Sequence, residues 1–359
     1  MKLNLISILL ICCAALNAQP KQSPDSLGKA EHYLLSARAG IQDNDLILNP
    51  VTDFDCADPS IVKIGDWFYC FATGYPIKIY RSRDLCSWEY YRNMFPGPGP
   101  DDPYGTGEKD PMKTGAETRI NYWAPSPALI NGKVVVYLTL FVSMDNDRQV
   151  VCVADDIDGE FRYVNTLNVG TPDHPTPQDG QYFLDDDGRH YLVYGDVNSK
   201  GNFVRELAPD GLKYRKGSKA AYITQAYEGG YIYKHKGKYY YFCSKGFYNN
   251  ADYTLCMSVS DNLMEGWSEP VPVLVSESQD DILNGAGHNG EIVTDDKGRM
   301  FMVMHTHCVG LIPRRGSYHP RPMMIMEMKD IDGKLVFVNH KGEPTSRPEW
   351  LTRKPYFAE

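Results

Sequence analysis

Asp53-Phe54-Asp55-Cys56-Ala57-Asp58-Pro59-Ser60 leads directly into the apolar run Ile61 to Phe71. An acid followed by Pro-Ser and then a β-rich run sets a carboxylate at the mouth of a strand. Two further stretches share this layout. They are Asp179-Gly180-Gln181-Tyr182-Phe183-Leu184 and Glu228-Gly229-Gly230-Tyr231-Ile232-Tyr233. Three carboxylates at matching places in a repeated unit converge if the units stand in a ring.

Outward from these stretches, a unit recurs roughly every 50 to 65 residues, a period that points to propeller architecture. Its clearest marks are turns followed by aromatic or β-branched runs. Gly65-Asp66 precedes Trp67 to Phe71, Asn131-Gly132 precedes Val134 to Leu138, and Asp187-Gly188 precedes His190 to Tyr194. Lys236-Gly237 precedes Tyr239 to Phe242, and Lys297-Gly298 precedes Met300 to Met304. Gly-containing pairs between such runs are hairpin turns, because Gly tolerates positive φ. The later strands rhyme as well: Arg81-Ser82-Arg83-Asp84-Leu85-Cys86-Ser87-Trp88 parallels Ser258 through Trp267. The count gives an all-β, five-bladed β-propeller of four-stranded blades.

Composition agrees with that reading. The 359 residues include 25 Tyr, 31 Gly and 24 Pro, and long helix-period stretches are few. The net charge of −9 and the lack of a basic patch argue against nucleic acid as a partner. Residues 1–18 have the short basic start, apolar core and small residue of a cleaved secretory signal peptide, and are too short to span a membrane. Secretion or a periplasmic location follows. A lipoprotein anchor at Cys12 or Cys13 is set aside, because Ile11 or Cys12 stands where a small residue is needed. Residues 19–49 read as an N-terminal extension with a short helix near Leu27 to Ala39, and 50–359 as the propeller, expected to act as a monomer. The seven remaining cysteines form no CxxC pair and read as small buried hydrophobes. The Pro- and Gly-rich stretch Pro96 to Thr118 fits no blade and reads as a long loop.

Inner strands of a propeller start at one end of the axis, so Asp58, Asp179 and Glu228 should share a pocket with Trp123 and His288. Acids this close cannot all ionise comfortably, so at least one pKa should rise. A protonated and an ionised carboxyl on opposite sides of a sugar bond are what glycoside hydrolysis requires. Asp185-Asp186-Asp187 reads as a solvated turn tip. His305 and His307 share one strand face, with a packing or substrate-side role preferred over a metal pair.

The ordered set Ala57-Asp58-Pro59-Ser60, Trp123-Ala124-Pro125, Asp179 before Tyr182 to Gly188, Tyr227-Glu228-Gly229 and Gly287-His288-Asn289 resembles glycoside hydrolase family 43. It departs from the family pattern at Ser126, Gly180 and Gly230. The resemblance spans roughly Pro50 to Val338 and implies inverting hydrolysis of arabinose- or xylose-containing glycans. It makes Asp58 the general base, Glu228 the general acid and Asp179 the residue that orients that acid. Trp123 and Arg321 would contact the sugar, and His288 would contact the sugar or an axial ion. The chemistry requires no cofactor, although the resemblance allows a calcium ion in the axial channel at His288. The expected partner is an oligosaccharide or polysaccharide, cleaved in exo fashion. The alternatives are an endo-arabinanase, a galactan-directed hydrolase, and a carbohydrate-binding propeller without catalysis.

Overall fold

The computed structural model describes residues 45–358, apart from 75, 96–120, 142–146, 171–176, 196–199, 226, 277–281, 309–310 and 313–317. The signal peptide, the short helix and the Pro96 to Thr118 loop read from the sequence therefore lie outside the described residues. No described helix is long and apolar enough to cross a membrane.

Among the described residues, five antiparallel sheets built from consecutive strands form the blades. The first blade holds β2 (Ser60–Ile64), β3 (Trp67–Ala72), β4 (Lys78–Ser82) and β5 (Glu89–Asn93). The second holds β6 (Asn121–Ile130), β7 (Lys133–Phe141), β8 (Arg148–Ala154) and β9 (Arg162–Val169). The third holds β10 (Gln181–Leu184), β11 (His190–Tyr194), β12 (Asn202–Glu206) and β13 (Ala221–Thr224). The fourth holds β14 (Glu228–His235), β15 (Lys238–Lys245), β16 (Thr254–Ser260) and β17 (Val271–Leu274). In the fifth, the inner strand is broken into β18 (Leu283–Gly287) and β19 (Ile292–Thr294), which both pair with β20 (Met300–Cys308). Beyond them lie β21 (Met323–Ile331) and β22 (Lys334–Phe337). The break in that strand falls at the His288-Asn289 stretch.

The turns follow from their residues. Ile130 pairs with Lys133 and His235 with Lys238. Each leaves a two-residue turn with both residues at positive φ, the geometry that matches strand twist. Asp185 departs from expectation. It is buried, because Lys234 Nζ at 2.6 Å and Tyr239 Oη at 2.8 Å reach it from the next blade. Only Asp186 and Asp187 behave as a solvated tip.

Alternating side chains face opposite neighbours, so strands read as continuous apolar runs. Tyr239, Tyr241 and Cys243 pack toward the third blade, while Tyr240 and Phe242 pack toward the fifth. One apolar cluster fills each gap: first to second, second to third, third to fourth, fourth to fifth, and fifth back to first. This last cluster, with Ile61, Phe68, Phe301 and Ile325, joins the ends of the ring. Full burial of a side chain such as Phe242 contributes roughly 1.5–3 kcal/mol, and Phe242→Ala would cost about 3–5 kcal/mol. Among the described residues the cysteines form no disulfide, and all but the half-buried Cys86 are buried.

Closure also places the site. β1 (Leu46–Leu48) pairs with β23 (Leu351–Arg353). The chain then runs beside the fifth blade before starting the first. Val51 N–H donates to Met323 O at 2.8 Å and Cys56 N–H to Arg321 O at 3.0 Å. That detour delivers Asp58 to the side of Arg321.

Candidate active site

Five residues, one per blade, share a left-handed backbone at the mouth of the inner strand. They are Asp58 (φ 51°), Ala124 (42°), Asp179 (52°), Gly229 (62°) and His288 (40°). Positive φ is uncommon for residues other than Gly and persists where the surroundings enforce it. Here a cyclic set of hydrogen bonds does so. Ala124 N–H donates to Thr73 Oγ1 (2.8 Å), Asp179 N–H to Thr139 Oγ1 (3.1 Å) and His288 N–H to Ser244 Oγ (2.8 Å). Asp58 N–H donates to His305 Nδ1 (3.3 Å). Each acceptor sits at the end of the second strand of the preceding blade. At the matching place in the third blade stands Gly195, which has no side chain. There the Gly229 N–H goes to Asp179 Oδ2 at 3.1 Å.

This geometry corrects the idea that the three acids are equivalent. Asp58 and Asp179 are the left-handed residues of their blades. Glu228 lies one residue earlier than Gly229, as Trp123 lies one earlier than Ala124. A register shift follows each of these two residues. Asp58 and Asp179 are therefore buried and Glu228 only half-buried. The structure nonetheless gathers all six predicted residues. Asp58, Trp123, Asp179, Glu228, His288 and Arg321 line one cavity of about 590 Å³. A larger hollow of about 1000 Å³ on the flank of the first blade contains none of the three acids.

Asp58 is held on both oxygens. Arg321 Nη1 donates to its Oδ1 at 2.7 Å, and His288 Nδ1 and His305 Nδ1 each stand 3.2 Å from that oxygen. Its Oδ2 accepts the Thr73 hydroxyl at 2.6 Å. Burial pushes the Asp58 pKa up, but the Arg321 charge and then His288 overturn this and hold it well below the usual range. At Asp58 the two basic side chains in the cluster thus reverse the rise expected from burial. A raised carboxyl lies behind the site. Glu291, on the broken inner strand, is pushed up to about 7 by burial, while it accepts from Ser60 Oγ (2.7 Å) and Ile61 N–H.

His288 bridges the acids. Its Nδ1 is 3.2 Å from Asp58 Oδ1 and 3.7 Å from Glu228 Oε1. Those two oxygens therefore cannot be more than about 7 Å apart. Burial lowers its pKa, but Asp58, then Asp179 and Glu228, outweigh burial and raise it to about 9. Were a cation held on the axis, His288 would offer a ring nitrogen and Asp179 and Glu228 one carboxylate oxygen each, atoms that lie within 4.8 Å of one another.

Arg321 is buried, with its guanidinium over the Tyr248 ring at 4.8 Å, and is paired to Asp58 within the cavity lining. Trp123 lies stacked on Phe141, centroids 4.0 Å apart. His305 is a buried packing residue, stacked on Tyr253 at 5.5 Å, and burial first and then Arg321 hold its pKa down at about 3. His307 lies deeper, with Nδ1 at 3.2 Å from Asn284 Oδ1. Sequence reasoning missed Thr73, Asp55, Tyr248, Tyr253 and Tyr318. The hydroxyl residues that end second strands, Thr73, Thr139 and Ser244, were a readable signal. The departures at Gly180 and Gly230 have local causes. A Cβ at Gly180 would meet the Gln149 side chain at 2.3 Å, and one at Gly230 the Tyr241 hydroxyl at 2.5 Å.

Fold and site together define a five-bladed propeller that gathers three acids, a charged histidine and an arginine on its axis. Residues 47–334 match the family Glycosyl hydrolases family 43, and the chain belongs to it. It is similar to an extracellular endo-α-(1→5)-L-arabinanase of Thermotoga petrophila, 28% identical over 173 residues, covering 43% of this chain and 36% of that protein. It also resembles a putative β-xylosidase of Escherichia coli, 24% identical over 222 residues, covering 56% and 38%. These matches thus span little more than a third of either relative. Among solved structures, xylan β-1,4-xylosidase from Bacillus halodurans superposes with TM-score 0.66 at 22% identity, covering 87% of this chain and 61% of that one. Cellvibrio cellulosa α-L-arabinanase complexed with arabinohexaose gives 0.63 at 18%, covering 82% and 99%. At these identities the superpositions speak for the fold.

Proposed function

We propose that this chain hydrolyses O-glycosidic bonds with inversion, with Asp58 as general base and Glu228 as general acid. The observation that carries the reading is the His288 nitrogen set between the two carboxyls. Asp58, kept ionised by Arg321 and His288, accepts a proton from a water molecule. That water attacks the anomeric carbon while Glu228 protonates the leaving oxygen. Inverting carboxyl pairs stand roughly 6.5–9.5 Å apart. The bound set by His288 admits the lower part of that range. Asp179 fixes the acid's strand through the Gly229 N–H.

The substrate we propose is an α-L-arabinofuranoside or β-D-xyloside of plant-type polysaccharide, cleaved from a chain end. Enclosure supports this reading, since Trp123, Phe247, Tyr248 and Tyr318 wall a cavity whose floor is the acids. The arabinanase relative favours a second reading, endo action on arabinan. The protein would then work outside the cytoplasm on a soluble or wall-bound glycan. The test is a panel of nitrophenyl α-L-arabinofuranoside, β-D-xyloside and β-D-galactoside beside linear arabinan, with wild type and Glu228→Gln. Release from one small pentoside, lost in the variant, is the expected result. Activity on the polymer alone supports endo action. Sugar binding without any release overturns catalysis and leaves a binding propeller.

A further inference from the structure

The two oxygens of Glu228 have unlike surroundings. Tyr253 Oη donates to Oε1 at 2.9 Å, and His288 Nδ1 faces the same oxygen at 3.7 Å. No described residue donates to Oε2. Tyr253 is fully buried, and its ring stacks on His305 with an interplanar angle of 12°. Its seat exists because residue 287 is Gly: a Cβ there would meet the ring at 2.5 Å and Ser244 Oγ at 2.8 Å.

The His288 N–H can only donate, and Ser244 Oγ receives it. The Tyr253 phenol turns its proton to Glu228, so Oε1 is engaged as an acceptor.

We propose that Tyr253 is a positioning residue that reserves Glu228 Oε1 as an acceptor and so confines the acid's transferable proton to Oε2, the oxygen left for the leaving group. This rests on the acid role given to Glu228 above. In the step itself, the proton moves from Oε2 to the glycosidic oxygen as the bond from that oxygen to the anomeric carbon breaks. The bonding pair stays with the departing oxygen. Water forms the new bond to the anomeric carbon and gives its proton to Asp58. Solvent then returns a proton to Glu228 and removes one from Asp58. The other titratable groups that face Glu228 are His288 and Asp179, with Asp58 and Arg321 beyond His288.

Tyr253→Phe tests the proposal, because it removes the donor and keeps the ring stacked on His305. Two readouts separate its failure from failure of the assigned activity. The first needs no turnover: the Glu228 carboxyl carbon is followed by NMR against pH and assigned by its loss in Glu228→Gln. Without the phenol donor, the signal should titrate about one pH unit higher, the equivalent of one hydrogen bond to a charged group. The second uses aryl pentosides of graded leaving ability. The variant should lose about tenfold in kcat/KM on the poorest leaving group and under twofold on dinitrophenyl glycosides, since only the former need the acid. The basic limb of the pH profile should rise with the NMR midpoint. An unchanged midpoint, or equal loss across leaving groups in a variant that melts like wild type, overturns the proposal. A wild type that cleaves no glycoside defeats the acid role, while the NMR midpoint still decides the hydrogen bond.

Discussion

Arg321→Met removes a charge while nearly preserving length. In the native protein the guanidinium lies 2.7 Å from Asp58 Oδ1, with both side chains buried. Deleting one partner of a buried ion pair costs about 3–5 kcal/mol, because the other charge is left unmatched. His288 still faces the same oxygen at 3.2 Å, so the low end, about 3 kcal/mol, applies. For a domain of this size that corresponds to a fall of roughly 5–10 °C in Tm. The pH dependence discriminates further. A carboxyl with a depressed folded pKa adds stability above its unfolded pKa and loses it as pH falls through the folded one. The variant gives up that depression, so its Tm deficit should be full at pH 7 and shrink in acid. The acid limb of the activity profile should move to higher pH for the same reason. Melts from pH 3 to 7.5 and kcat/KM over the same range measure both. A Tm gap independent of pH, or an acid limb that stays in place, would refute the pairing of Arg321 with Asp58.

Other substitutions probe the scaffold around this pair. Gly229→Ala would put a Cβ 2.8 Å from the His288 ring at φ +62°, so activity should fall more than tenfold and Tm should drop; a variant like wild type in both would show that the close approach is not required. Asp179→Asn keeps an oxygen for the Gly229 N–H while removing the charge, so it should melt near wild type yet lose about 10²-fold in kcat, whereas Asp179→Ala should lose both. Glu291, with its pKa raised from 4.5 to about 7, binds more protons folded than unfolded between those values, so stability falls as pH rises through that window, by about 3 kcal/mol. Glu291→Gln should flatten the Tm slope between pH 5 and 8, and a variant that keeps the full slope would assign it to another group.

The hairpins were legible because a two-residue turn at positive φ demands particular residues, as at Asn131-Gly132 and Lys236-Gly237. The blades were legible because strands packed on both faces are apolar throughout. The six site residues were readable through motif order, which a ring converts into proximity. What stayed hidden depends on contacts between blades. Asp185 looks like any acid in a turn until Lys234, 49 residues later, is found against it. Tyr253 looks like one of 25 tyrosines until its hydroxyl meets Glu228. The offset of Glu228 from Asp58 and Asp179 depends on a register shift after Glu228, which leaves no mark in composition. The side-chain acceptors for the left-handed residues were half visible: the hydroxyls recur in sequence, but His305 and the gap at Gly195 are exceptions that only the assembled ring explains.

The most direct test of the central claim is the anomeric configuration of the first sugar released, read by proton NMR within the first minutes of hydrolysis, in wild type and in Asp58→Asn. An Asp58 base that activates water, with Glu228 as acid, predicts a first product of inverted configuration and loss of turnover in a variant that still folds. A first product of retained configuration, or near-normal turnover by Asp58→Asn, would contradict it.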